Sequence, residues 1–107
     1  MTKEELYEQS FMLIMHSGNA RSSAIEAIQS IKQMNPDECE AKLKEADEEF
    51  VKAHHIQTEL IQKEAEGETF EIPIIFIHAQ DHLMNAMTTV ELAKEIIDVH
   101  KEKQISR

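Results

Sequence analysis

Met34-Asn35-Pro36-Asp37-Glu38 interrupts an otherwise continuous helical pattern and turns it back on itself. Asn35 has the side chain of an N-cap, whose oxygen accepts from a backbone N–H of the next turn. Pro36 suits the first helical position, where its missing N–H is not needed. Asp37 and Glu38 then face the positive end of the helix dipole. Reading back towards the N-terminus, Leu6, Leu13, Ala20, Ala27 and Met34 recur at sevens, with Ala24 and Ile31 completing the stripe. That spacing keeps one side of a helix turned to a partner. Thr2 with Glu5 three residues later has the form of a capping box at its start.

Reading forward, Cys39, Leu43, Ala46, Phe50, Ala53 and Leu60 recur three or four apart, with polar Gln57 skipped. Gly67 is a natural helix terminator. Glu68 to Ile72 form a short connection, and Pro73 can open a third helix. The predicted helices span about 3–33, 36–66 and 73–103 of a single domain, residues 1–107. Connections this short force antiparallel neighbours, so the expected fold is all-α, an up-down-up three-helix bundle. Two glycines, two prolines, four phenylalanines and one tyrosine are too few for a β-protein and agree with this.

Lys+Arg 11 against Asp+Glu 21 gives a formal charge of −10. Nucleic acids and anionic membranes are held by clustered basic residues, which this chain lacks. No apolar run approaches the roughly 20 residues of a membrane span, and the N-terminus has no signal-peptide pattern. Cys39 is the only cysteine, so neither an intrachain disulfide nor a cysteine zinc framework is available. The default location is the cytoplasm.

The third helix is apolar on two sides. At about 100° per residue, Phe76, Ala79, Leu83, Ala86, Val90, Ala93 and Ile97 form one face, the expected intramolecular seam. Ile74, Ile77, Asp81, Met84 and Thr88 form a second, roughly opposite. A three-helix monomer buries one side of each helix, so the second stripe calls for an oligomer with this helix near its centre. Asp81 lies within that stripe, and a carboxylate in an apolar interface is neutralised, paired or metal-bound. In a cyclic assembly, copies of Asp81 near the axis can share a hard cation such as magnesium. A salt bridge to a neighbouring Lys or Arg is the alternative.

His78 and His82 are one turn apart on the flank between these faces, followed on the same strip by Asn85 and Thr89. Three readings stay open. The pair can contribute to a zinc site, which needs a third ligand such as His16, His54 or His55. Both can be hydrogen-bonded interface residues of a plain helical adaptor. One can be a nucleophile, because neutral imidazole with a reference pKa of about 6.5 keeps a free lone pair at neutral pH.

Phe76-Ile77-His78-Ala79-Gln80-Asp81-His82-Leu83-Met84 resembles the signature of the lactose/cellobiose-type enzyme IIA components of the bacterial phosphoenolpyruvate-dependent sugar phosphotransferase system. Gly18-Asn19-Ala20-Arg21-Ser22-Ser23-Ala24-Ile25-Glu26-Ala27 is similar to a second block of that family, and Ala53-His54 with Gln57-Thr58-Glu59-Leu60 to a third. The resemblance implies a cytoplasmic homotrimer in which His78 is transiently phosphorylated and Asp81 binds a divalent cation, Mg, at the axis. It implies HPr as phosphoryl donor, a cysteine of a sugar-specific IIB component as acceptor, and a IIB/IIC transporter further on. The transported sugar would be cellobiose, lactose or a related β-disaccharide. Gln80 and His82 are expected in supporting roles, by hydrogen bonds to the phosphoryl oxygens or by setting the imidazole tautomer. On an ideal helix Gln80 points well away from His78.

Overall fold

The computed structural model describes residues 1–105. Its elements are α1 (Lys3–Lys32), α2 (Pro36–Ala65) and α3 (Ile74–Ile105), and no strand occurs among the described residues. They form an elongated bundle of 57 × 20 × 18 Å. α1 packs along both other helices, whereas α2 and α3 meet sparingly. The bundle is therefore organised around α1.

The core has three layers. Leu13, Ala53, Ala79 and Leu83 form one; Ala20, Ala24, Ala46, Ala86, Val90 and Ala93 the middle one; Ala27, Ile31, Cys39 and Ile97 the third. Residue numbers rise from layer to layer in α1 and α3 and fall in α2, which is the up-down-up arrangement. Alanines dominate the middle layer and let the helix backbones approach closely, while Phe50 and Ile28 close its sides. Ser10 and Ser17 also lie in the α1 seam, fully buried between the hydrophobic positions. Sequence reasoning passed over them as polar. The Ser10 hydroxyl donates to the Leu6 carbonyl at 2.7 Å, so it enters the seam with its hydrogen bond made.

Both inter-helix turns end the preceding helix in the same way. After α1, Met34 N–H donates to the Ile31 carbonyl and Asn35 N–H to the Ser30 carbonyl; after α2, Gly67 N–H donates to Glu64 and Glu68 N–H to Lys63. These are Schellman closures, which put the residue after the cap in the left-handed region. Met34 occupies it at φ 63° and Gly67 at φ 101°. Met34 therefore leaves the hydrophobic stripe to which its spacing assigned it and stands 68% exposed. A left-handed conformation costs an L-residue about 1–2 kcal/mol. Met34→Gly is accordingly expected to raise the thermal midpoint, and Gly67→Ala to lower it by the equivalent of about 1 kcal/mol. Calorimetry on the two variants checks the pair of signs.

The caps follow the sequence. Thr2 Oγ1 accepts from Glu5 N–H at 3.1 Å, and Asn35 Oδ1 accepts from Glu38 N–H at 3.3 Å. α3 begins one residue later than expected. Pro73 flanks it, offering its carbonyl to Phe76 N–H at 3.0 Å, and the helix runs on to Ile105, past the expected end near 103. Ion pairs Lys94–Asp47 (2.8 Å) and Lys101–Glu40 (2.6 Å) tie α3 to α2 where apolar contact is thin. The Glu40 carboxylate, hydrogen-bonded to Lys101, raises the pKa of that ammonium. A raised lysine pKa adds stability that is complete below the unfolded value, about 10.4, and is lost as pH rises through the folded one. Both groups are exposed, so the contribution is small.

Candidate functional site

Positions 78, 82, 85 and 89 are spaced four, three and four apart, which aligns His78, His82, Asn85 and Thr89 on one strip of α3. His78 is exposed and His82 half-buried. Their rings meet edge to face, centroids 4.3 Å apart at 65°. His82 Nδ1 lies 3.1 Å from the His78 carbonyl oxygen. A carbonyl only accepts, so His82 carries its proton on Nδ1 and, when neutral, keeps a lone pair on Nε2. The His78 ring makes no hydrogen bond among the described residues. Its nitrogens are open to solvent and to an approaching molecule.

Gln80 is placed elsewhere. It turns towards α2, where its Oε1 accepts from Gln57 Nε2 at 2.5 Å. Within one chain it therefore does not reach His78. This also explains the polar gap in the α2 stripe: Gln57 is half-buried in the seam, and its amide is matched from α3.

Asp81 is exposed on the outward side of α3, among Ile74 (85% exposed), Ile77 (60%) and Met84 (48%). The same side carries exposed Leu92, Ile96 and Val99, so the second apolar stripe extends well beyond Thr88. Asp81 has neither hydrogen bond nor ion pair among the described residues. The salt-bridge alternative thus finds no partner within the chain.

The other histidines lie apart. His16, half-buried on α1, pairs through Nδ1 with Glu49 of α2 at 2.5 Å. His54 stacks on Phe50, and His55 pairs with Glu59 at 3.1 Å. His100 is half-buried, in contact with Gln104 at 3.1 Å. Among the described residues no group of three or more His, Cys, Asp or Glu side chains is placed to hold a metal ion. Burial pushes the Cys39 thiol pKa up, against the lowering effect of nearby Lys101. A thiol of that kind packs as a small apolar group.

One feature escaped the sequence reading. The strip containing His82 faces the Gly18–Ser22 segment of α1 across a groove of about 460 Å³. Ser17, whose Oγ is buried and has no hydrogen-bond partner, lines the same groove. An unmatched buried hydroxyl costs about 1–3 kcal/mol. Nothing in the spacing of α1 or α3 alone could have disclosed this, because it depends on their parallel register.

Comparison with known proteins agrees with this fold. The sequence model described as "PTS system, Lactose/Cellobiose specific IIA subunit" matches residues 8–101. The lichenan-specific phosphotransferase enzyme IIA component of Bacillus subtilis (strain 168) is 52% identical over 99 residues, covering 92% of this chain and 90% of that protein. The crystal structure of the PTS cellobiose-specific enzyme IIA from Bacillus anthracis superposes with a TM-score of 0.91 at 50% identity, covering 100% of this chain and 96% of that one. A IIA(Chitobiose) solved in solution with HPr, from Escherichia coli, gives 0.77 at 33% identity, covering 92% and 96%. No described helix is long and apolar enough to cross a membrane. An all-helical chain with the His-Ala-Gln-Asp-His run on its third helix, matched along nearly its whole length, belongs to the lactose/cellobiose-specific IIA subunit family, the phosphotransferase components of the PTS system.

Proposed function

We propose that His78 is the phosphoryl carrier of this component, loaded by HPr and discharged to a cysteine of a IIB component during uptake of cellobiose, lactose or a related β-disaccharide. The observation that carries the reading is the His78 ring: exposed, unbonded at both nitrogens, and braced by His82. A lone pair on His78 Nε2 forms the new N–P bond as the N–P bond to the donor imidazole breaks and its electron pair returns to that ring. In the second transfer a cysteine thiolate of IIB forms an S–P bond, and the departing pair returns to His78. Both steps exchange one such bond for another, so the demand on the protein is alignment. An in-line, loose transition state rewards placement of donor, phosphorus and acceptor above all. The IIA(Chitobiose)–HPr neighbour supports HPr as the donor, and the lichenan and cellobiose relatives support a β-linked sugar. A cytoplasmic site of action belongs to the same reading.

The outward stripe of α3 supports a homotrimer with that helix at the axis, because an apolar band of this length is otherwise left to water. In such an assembly three Asp81 carboxylates converge. Their all-oxygen donor set and lack of a counter-charge suit a hard divalent cation such as Mg, which would offset their mutual repulsion. His82 braces the carrier ring, and Gln80 would reach a phosphoryl group only across a subunit boundary. The zinc alternative, built on His78 and His82, lacks a third ligand among the described residues.

Incubation with phosphoenolpyruvate, enzyme I and HPr is expected to add one phosphate per chain, labile in acid and stable in base. Failure to label in a mixture that labels another IIA would overturn the carrier reading. Stoichiometric zinc retained on purification, and lost in the His78→Ala/His82→Ala variant, would favour the second one.

A further inference from the structure

We propose that the groove between α1 and α3 is a binding site for a tetrahedral, phosphate-class anion, held by Arg21 with the hydroxyls of Ser17 and Ser22 and bordered by His82. The two walls are Gly18–Ser22 and the His82–Thr89 strip, and the space between them, about 460 Å³, is ample for such an ion. Three independent observations converge there. Ser17 is 1% exposed and its Oγ has no partner, although Ser10 and Ser30 on the same helix return their hydroxyls to carbonyls four residues back. Arg21 has no ion pair or hydrogen bond among the described residues, in a chain of formal charge −10 rich in carboxylates. Gly18 stands mid-helix with nothing within 4 Å of where a Cβ would lie.

A glycine inside a helix weakens it relative to alanine, and here no neighbour in the chain requires the missing side chain. What the bare backbone leaves is room on the groove wall. A guanidinium presents a planar fork of donors suited to phosphate oxygens, and serine hydroxyls add donors that rotate to fit. His82 is held by its Nδ1 bond to the His78 carbonyl, which leaves Nε2 for the groove side. Thr89 is already committed, donating its hydroxyl to the Asn85 carbonyl at 2.8 Å. The electropositive contribution therefore comes from Arg21 of α1.

The anion can come from solution or be the phosphoryl group carried by His78. The first source is independent of the carrier reading; the second rests on it. The probe is inorganic phosphate, titrated into the unphosphorylated native protein in chloride buffer at constant ionic strength, with amide and imidazole NMR as readout. Saturable shifts confined to residues 17–22 and 82–89 are expected, weakened at least tenfold in Arg21→Gln and less in Arg21→Lys. Gly18→Ala is expected to raise the thermal midpoint while weakening phosphate, an outcome that misfolding cannot mimic. Repeating the titration on enzymatically phosphorylated protein separates the sources. Unchanged binding means a free anion, whereas lost binding with a ³¹P resonance sensitive to Arg21→Gln means the protein's own phosphoryl group. Absence of saturable shifts at millimolar phosphate overturns the proposal. So does dissociation of the assembly by Arg21→Gln without phosphate binding to the native protein, since the groove would then hold a neighbouring copy's carboxylate.

Discussion

His78→Ala is expected to accept no phosphoryl group from phospho-HPr, while folding and melting as the native chain does. The two halves of this result have separate causes. Loss of acceptance follows because the His78 imidazole nitrogen is the atom to which phosphorus bonds; on the same strip the Thr89 hydroxyl is committed to the Asn85 carbonyl, and Cys39 is buried in the core layer at the far end. Retention of the fold follows because His78 is exposed and makes no ring hydrogen bond, and such surface substitutions usually change stability by about 0.5 kcal/mol or less. His82→Ala sharpens the comparison. It removes the edge-to-face brace at 4.3 Å but leaves the acceptor nitrogen. The expected effect is slower transfer, by roughly tenfold. This is less than the 10²–10⁴ typical of a group that moves a proton, because none has to be moved there. Full labelling of His78→Ala, measured as acid-labile phosphate per chain, would contradict the assignment.

The second large effect concerns assembly. Ile77→Asp is expected to convert the proposed homotrimer to monomers, whereas Asp81→Leu keeps it and strengthens it. Both positions lie on the outward apolar stripe of α3, one turn apart. At position 77 a new carboxylate would enter the proposed interface with no counter-charge, and an uncompensated buried charge costs about 3–5 kcal/mol in each copy. At position 81 the charge is already present; in the proposed trimer it would be buried, and replacing a buried ionic group by an apolar one of similar size is often stabilising by about 1–4 kcal/mol. Asp81→Leu should also lose any bound divalent cation, seen by metal analysis after dialysis. Sedimentation velocity reads the assembly directly. A monomeric Asp81→Leu, or an intact Ile77→Asp, would remove the axis account.

How far residues disclosed this structure varied with the physics. The α1 seam was legible because apolar residues at sevens leave few alternatives. Ser10 was not, since residue type signals polarity while a helical serine can satisfy itself on a carbonyl four residues back; nor was Ser17, whose hydroxyl is buried without such a bond. Met34 was misassigned for a related reason. Heptad counting has no knowledge of where a Schellman turn ends the helix, and the turn carried Met34 out to solvent at φ 63°. Gln57 read as a gap, because its partner Gln80 lies on another helix and only tertiary register joins the two amides. At the site, the His78–His82 strip and the outward placement of Asp81 followed from helical spacing alone. The Arg21 groove did not, for it exists only where α1 and α3 run side by side.

The most direct measurement is a long-range ¹H–¹⁵N correlation spectrum of the imidazoles, recorded before and after phosphorylation through enzyme I and HPr. The account predicts that the Nε2 resonance of His78 alone makes the large displacement and ³¹P coupling of a phosphorylated nitrogen, with His82 perturbed as its neighbour. A phosphorylated resonance belonging to His82, His16 or any other histidine, with His78 unmoved, would contradict it.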